Sequence, residues 1–541
     1  MELYKECRKM TLYQLTFFSF LIIFIGISIY HGKNQRGLGD FYNMGGSAGI
    51  WLICGTYTAT LVSALGMVGL TGTAYADGPV VGILVWGTFI AFPITGLFMG
   101  AQLRRFGKVT IGDFLEERYE SKSMRIMTTV ITIIGMGCFF VSQLVGSALI
   151  VEGVLGIPYN YVVLLTVAVF VIIAWSGGSR TVTITDTIMF AMICLLLGFI
   201  FSGSLIRMFG ISTYRTLAET RPALYTATDG GKIAWGVILG WQILWCFGNA
   251  SNPANLTRCY LAKDGRSVTC AMMAALALII PVIWLTHIAA AGVQSVNPNI
   301  TNPSMTIIWA ALNLGSPFIG ALAIAGLFAA VLSTASTQIL TLALCLSRDI
   351  YERFFCPAIT PEAEKKVLFM TRMAILLFAV YGVIAAWGNP TIIVQIGNFG
   401  SSVFACTFFP VLLCGLRYKW ATREAAIASF IVGFVVDGVL SLVPLFMGKP
   451  LAWAGYLPWS LHPVVWGFAA SFAAMFIVSA LTKPTATMDA LVEKCMTVTP
   501  EENIGTPISK VKHYAYGMMA VAIIFYVAAL WFAQGVGKVS L

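Results

Sequence analysis

A succession of long apolar runs constrains this chain more than any other feature. Fourteen stretches stand out, at 12–30, 48–74, 80–103, 125–150, 158–176, 183–207, 233–253, 268–292, 315–346, 367–387, 391–415, 424–446, 463–481 and 515–535. Most are about 18–25 residues long and none alternates polar with apolar, so they predict membrane-crossing helices rather than barrel strands. In hydrocarbon every backbone amide and carbonyl must be paired within the protein, and a helix does this segment by segment. Composition agrees: 58% of residues are hydrophobic and 10% charged, against about 45–50% and 25% in a soluble chain. The expected fold class is an all-α polytopic membrane protein of about 14 helices.

The loops set the orientation. With residue 1 outside, inward loops carry twenty-three Lys and Arg and outward segments nine, as the positive-inside rule requires. Lys5, Arg8 and Lys9 are a local exception. This distribution accounts for the net charge of +10 without a nucleic-acid partner; the expected partners are the lipid bilayer and a small-molecule substrate. The first run lacks a small-residue cleavage site after Ile29-Tyr30-His31 and reads as a helix, not a leader. The segments 208–232 and 482–514 are too short for a core of their own, so one membrane domain and no enzymatic domain is expected. No phosphate-binding loop argues for ATP drive. Cys54, Cys138, Cys194 and Cys406 fall within spans, without metal-ligand spacing, and read as packing residues.

Polar residues inside spans are the candidates for function, because a charge at a helix centre costs about 2.5–3.5 kcal/mol on insertion scales. Asp186, in Thr-Ile-Thr-Asp-Thr, reads equally as a cation ligand or as a residue snorkelling at the inner boundary. Asp437 is deeper, and a structural hydrogen bond is the leading reading. His287 reads as a histidine satisfied by a neighbouring helix, with a proton relay as the alternative. The ninth span carries Ser333, Thr334, Ser336 and Thr337. Positions 330, 333, 334 and 337 share one helix face, which offers hydroxyls beside the Ala330 carbonyl to a small hard cation; back-bonding of the hydroxyls to the helix is the competing account. The second span is rich in Gly and Thr, and the seventh carries Gly236, Gly240, Gly248, Asn249 and Asn252-Pro253. Such segments either break to bind ions and solutes or pack closely.

Several segments in order resemble the sodium:solute symporter family over roughly residues 10–440. They are the loop from Arg104 to Arg125, Gln143-Leu144-Val145, Gly177-Gly178 followed by Val182 and Thr185-Asp186, Ala329-Ala330-Val331-Leu332-Ser333-Thr334, and Leu416-Arg417-Tyr418-Lys419-Trp420-Ala421-Thr422. Two departures are Ser179-Arg180 after the Gly pair, and Leu61 where some members carry an aspartate. The resemblance implies a leucine-transporter-like fold of two inverted five-helix repeats, at 48–207 and 233–415. An extra helix at 12–30 precedes them and additional helices at 424–535 follow. It implies Na+ as coupling ion and no organic cofactor. The main sodium site would use the carbonyls of Ala59, Val62 and Ala330 and the hydroxyls of Ser333 and Thr334. A second would use Asp186, Ser333, Ser336 and Thr337. Ser63, Gly66, Trp86, Thr88, Gln143, Trp245, Asn249 and Ser402 would line the substrate pocket.

The implied function is secondary active import of a small organic solute, in a bacterial-type inner membrane, by a monomer. The segment Asn252 to Cys259 looks closer to the carboxylate and pantothenate branches than to the sugar branch, so a small organic acid, an amino acid or a pantothenate-like carboxylate is expected. The rivals are a proton-coupled symporter titrating at Asp186 or His287, a sodium-independent facilitator or channel, and a sensor, for which 482–514 is too short to supply a signalling domain.

Overall fold

The computed structural model describes residues 2–33, 37–78, 87–226, 228, 231–357, 360–388, 393–504 and 507–535. Among them the architecture is all helical, with no β-strand. In chain order the helices are α1 (Glu2–Lys33), α2 (Ile50–Leu61), α3 (Leu65–Ala76), α4 (87–106), α5 (Ile111–Arg118), α6 (Lys122–Leu155), α7 (Tyr159–Thr220), α8 (235–251), α9 (Pro253–Leu261), α10 (Gly265–Ser295), α11 (Pro317–Phe355), α12 (Pro361–Ala386), α13 (Val394–Arg417), α14 (Arg423–Phe446), α15 (Pro463–Leu481), α16 (Ala486–Met496) and α17 (Ile508–Gly535). Nine described helices are long and apolar enough to cross a membrane, or ten with α2 and α3 as one bent span. The start of the expected third span, at 80–86, and residues 391–392 of the eleventh lie outside the described residues.

Three differences from simple spans carry information. The expected second span is bent by 56° between α2 and α3. The seventh ends at Asn252, whose ψ of 122° leaves helical geometry; its side chain accepts from Ala254 N at 2.9 Å and starts α9 with Pro253 at the first turn. Proline has no amide to offer the preceding turn and the residue before it is pushed to extended geometry, so the break falls where the sequence flags it. The fifth and sixth spans run together as α7, with a break in the helix at Gly177 and Gly178. Gly178 has φ 53° and ψ −147°, a conformation essentially reserved for glycine. Arg180, just beyond, pairs with Asp40 of the short helix Gly37–Asn43 at 3.0 Å.

The protein is organised around α11, which packs against α1, α2, α6 and α7. The apolar windows of α6, α11 and α13 are 83%, 83% and 89% buried, while those of α14 and α15 are 33% and 22% buried. The former therefore form the interior. The latter pack on each other and on α13 and leave side chains such as Phe446 and Leu481 exposed, as a lipid-facing layer should.

The Lys/Arg-rich side of the protein is held by buried charge. Arg125, at the start of α6, bridges Asp113 of α5 at 2.6 Å, Asp349 at the end of α11 at 3.1 Å, and Glu116. Arg353 also reaches Glu116, at 2.7 Å. Arg118, wholly buried, donates to the carbonyls of Gly415 and Tyr418 at 2.7 and 3.1 Å, placing a cation at the C-terminus of α13 where the helix dipole favours it. Burial raises the Asp113 carboxyl, but Arg348 and Arg125 more than offset this and hold it below its ordinary range. Glu116 is likewise raised by burial and brought below its ordinary range by Arg353 and Arg125.

Carboxylates with lowered folded values stabilise the fold above their unfolded pKa of about 4, and that contribution is lost as pH falls through the folded values. Acidification below about pH 4 should therefore loosen this anchor. Arg125→Met removes a cation shared by three carboxylates, and breaking buried pairs costs about 3–5 kcal/mol. Its melting temperature in detergent should fall clearly below that of Arg353→Met, whose arginine side chain is 48% exposed; equal melting temperatures would contradict this role.

Candidate cation and solute site

The bend between α2 and α3 leaves carbonyls that a continuous helix would use. Val62 takes ψ 95°, and neither the Ala59 nor the Val62 carbonyl receives a backbone amide from the following turn. The Ala64 amide instead donates to Gln143 Oε1 of α6 at 2.7 Å. The break is thus held open by a side chain from a neighbouring helix.

Opposite it lies the hydroxyl face of α11. Ser333 Oγ is 3.1 Å from the Ala59 carbonyl and 3.2 Å from that of Ala330. Thr334 Oγ1 is 3.1 Å from Ala59, 3.4 Å from Val62 and 2.9 Å from Ala330. All five residues are buried. Two hydroxyl protons cannot serve five such contacts, so lone pairs are in excess at the centre of the group. Oxygens about 2.4 Å from a common cation and at right angles lie about 3.4 Å apart, close to the spacing found here. With no carboxylate in the set, the group matches a hard monovalent cation.

Asp186 sits one turn inward, buried on α7. Thr56 Oγ1 donates to its Oδ2 at 2.8 Å and Thr337 Oγ1 at 3.2 Å. Gly55 permits this approach of α2 to α7, since a Cβ there would lie 2.7 Å from Thr187 Cα. Arg258 of α9 stands 3.6 Å from Asp186 Oδ2 and also bonds the Thr337 hydroxyl. The snorkelling account of Asp186 is set aside by this burial. Ser336, expected beside Asp186, turns back to the carbonyls of Leu332 at 2.8 Å and Ser333 at 3.1 Å. Arg258 and Thr56 are not among the sequence-derived candidates: by hydropathy Arg258 lies in an inward loop among the twenty-three Lys and Arg, and the Asn252-Pro253 break that folds it back into the interior is the available signal.

The expected solute residues divide. Ser63 and Gly66 lie at the break, with Gly66 N 3.4 Å from Ser63 Oγ and open space where a Gly66 side chain would be. Asn249 Nδ2 donates to Thr88 Oγ1 at 3.2 Å. Gln143 is committed to Ala64. Ser402 is not free to bind solute: its hydroxyl lies 2.8 Å from Asp437 Oδ2 and 2.9 Å from the Phe399 carbonyl. Asp437 thereby acquires the hydrogen bond expected for it. Trp86 lies outside the described residues. His287 donates through Nδ1 to the Ile283 carbonyl of its own helix at 2.7 Å, instead of to a neighbouring helix.

Trp245 Nε1, Asn398 Oδ1 and Ser401 Oγ are buried without a partner. A Cβ on Gly248 would meet Ser401 O at 2.4 Å, and Ser251 bonds the Phe404 carbonyl. This parallel register sets Trp245 level with Asn398. A cavity of about 450 Å³ runs from Asn398, Trp241 and Gly69 to the loop residues Asn302 and Pro450. On the charge-derived orientation it opens outward.

The family model for the sodium:solute symporter family matches residues 41–433, most of the chain and all of the site. The chain belongs to the sodium:solute symporter family. It is a multi-pass sodium-coupled solute symporter and not an enzyme. It is 25% identical to the sodium/pantothenate symporter of Escherichia coli over 446 residues, 78% of this chain and 89% of that protein. It is 23% identical to sodium/proline symporter 2 of Staphylococcus saprophyticus over 477 residues, 86% and 91% of the two chains. Its fold matches that of a Na+-coupled sialic acid symporter with a TM-score of 0.69 at 19% identity, covering 87% of this chain and 98% of the other.

In this symporter Gln143→Leu should strand the buried Ala64 amide, a loss of about 1–3 kcal/mol. The variant should melt lower than wild type and respond less to sodium. An unchanged melting curve and sodium response would show that Gln143 does not hold the break.

Proposed function

We propose that this protein imports a small organic solute carrying a carboxylate, such as a small organic acid, an amino acid or a pantothenate-like compound, driven by sodium bound between α2 and α11. The five-oxygen group at Ala59, Val62, Ala330, Ser333 and Thr334 carries the reading. Segments 48–207 and 233–415 act as two inverted repeats, each opening with a broken span: α2–α3 in the first, α8–α9 in the second.

Ser333 and Thr334 both back-bond to the Ala330 carbonyl, but the Ala59 and Val62 carbonyls facing the same hydroxyls bring more acceptors than the two protons can serve, which is the arrangement a cation requires. A sodium ion satisfies all five oxygens at once and pins α2 to α11. That ion shifts the conformational equilibrium by its differential affinity for the two states, and favours the form in which the outward cavity reaches the solute site. Solute binding then closes the outer side, and the ion leaves inward past Asp186. One charge moving down 100 mV supplies about 2.3 kcal/mol.

The solute site is built from the break at Ser63 and Gly66 with Trp245, Asn398 and Ser401, whose side chains keep unpartnered polar atoms. It holds donors and acceptors but no Lys or Arg. A carboxylate would rest on backbone amides at the broken helix ends, where the dipole favours it. The names of the pantothenate and proline relatives support this class. The bacterial sources of those relatives support an inner-membrane location.

Purified protein should be screened by thermal shift in sodium chloride against choline chloride across a panel of carboxylate metabolites. A ligand at 100 times its dissociation constant adds about 2.7 kcal/mol. The expected result is a carboxylate that stabilises only with sodium. Ser333→Ala and Thr334→Ala should each abolish the sodium effect, and Ser336→Ala should preserve it. Stabilisation indifferent to sodium would replace symport with facilitated or proton-coupled transport.

A further inference from the structure

We infer that the segment 485–504, helix α16 with the turn that follows it, is a strap across the Lys/Arg-rich face that holds the inward route shut and must release one side before sodium can leave. This rests on the sodium reading of the five-oxygen group. Two sets of helix ends meet on that face, each tied within itself. In the first, Arg104 of α4 donates to the carbonyls of Gly46 and Lys263 at 3.4 and 3.2 Å. Ala48, just before α2, bonds the end of α9 through Leu261 O at 2.9 Å and Lys263 N at 3.1 Å. Thr269 of α10 donates to Gly96 O of α4 at 2.8 Å. In the second set, Arg125 joins α5, α6 and α11, and Arg118 joins α5 to α13. The exit past Asp186 runs between α2 and α9 of the first set and α11 of the second, so opening it draws the two sets apart.

The strap is fastened to both sets, unequally. Toward the first, Arg105 of α4 holds Glu502 through two bonds of 2.8 and 2.7 Å, the side chains 2% and 1% exposed. Arg105 also donates to Cys495 O at 3.1 Å. Lys494 donates to Phe106 O at 3.0 Å, and Arg266 of α10 to Ile504 O. Gly265 admits the Glu502 carboxylate, since a Cβ there would lie 2.8 Å from its Oε1. Toward the second set, Glu493 pairs with Lys419, just past α13, and these side chains are 66% and 51% exposed. Thr485 donates to Glu120, just past α5, at 3.2 Å. Met488, Val492 and Cys495 form the buried stripe of α16, which packs on α4, α5 and α13. A buried bidentate arginine–carboxylate pair is stronger than an exposed lysine pair. The strap therefore stays with α4 and α10 and parts from α5 and α13 when the inward side opens. It touches none of the five sodium oxygens, so it acts by favouring one conformation over the other.

Hydrogen exchange read by mass spectrometry on the purified full-length protein, in sodium chloride and in choline chloride, tests this without knowledge of the solute. In wild type, sodium should slow exchange severalfold both in 486–496 and in the break at 59–66, because it favours the form closed inward. The start of α10, at 265–270, should stay protected in either salt. Ser333→Ala should lose the sodium effect on both segments. Arg105→Met combined with Glu502→Gln removes the buried pair without leaving a lone charge. In that variant 486–496 should exchange fast in either salt while sodium still slows 59–66. Sodium slowing 59–66 but not 486–496 in wild type would overturn the strap and leave the sodium reading standing. A double variant whose α16 follows sodium as in wild type would do the same. Indifference of both segments to sodium would overturn the sodium reading and the strap with it.

Discussion

Everything in this protein depends on a helix that stops short inside a low-dielectric slab. In hydrocarbon a carbonyl without a partner is expensive, and uninterrupted helices are the ordinary solution. At Val62 the chain departs from that solution and leaves the Ala59 and Val62 carbonyls facing α11. The departure is tolerated because the surroundings answer each freed group separately. Gln143 takes the Ala64 amide, the Ser333 and Thr334 hydroxyls approach the carbonyls, and a cation can take the remaining lone pairs. Removing the charge from bulk water is compensated only if all five oxygens are presented together. On the proposed reading the ion acts as a structural member between two helices as well as a passenger.

The surrounding charges follow the same economy. Asp186 is paired with Arg258, and Arg118 with the carbonyl end of α13. Arg125 is shared among Asp113, Glu116 and Asp349. Asp437 is held by Ser402, which ties the outer layer of α14 and α15 to the interior helix α13. Each buried charge connects elements that are distant in sequence, so these contacts define the geometry of the bundle as much as its apolar packing does. The cluster on the Lys/Arg-rich side joins the loop helix α5 to the far end of the same α11 that carries the cation group.

Local patterns made much of this legible. The helical face of Ala330, Ser333 and Thr334 follows from spacing alone, and the structure presents those residues to the break. The Asn252-Pro253 break follows from proline chemistry. The glycine pair at 177–178 marks the helix interruption in α7, while the continuity of helix on either side of it was not visible in hydropathy. What was not legible depends on contacts between distant segments. Arg258 looks like a loop charge until α9 folds inward. Ser402 and Ser336 look like ligands because a hydroxyl's direction is not encoded in its spacing; one bonds Asp437 and the other its own helix. Asn398 and Ser401 gain significance only from the register of α13 against α8.

On the proposed reading, separating the ion from Asp186 by one turn solves a specific problem of coupling. If the cation group contained Asp186 itself, sodium would be held by a full opposite charge in a medium where that attraction is weakly screened, and release inward would be slow. A neutral cradle binds the ion only while all its oxygens converge, so rotating α2 away from α11 by a small amount weakens it sharply. The nearby carboxylate is balanced by Arg258, which would keep it from trapping an ion beside the cradle. In such a cradle affinity is controlled by geometry, which a conformational cycle changes, and not by charge, which it does not.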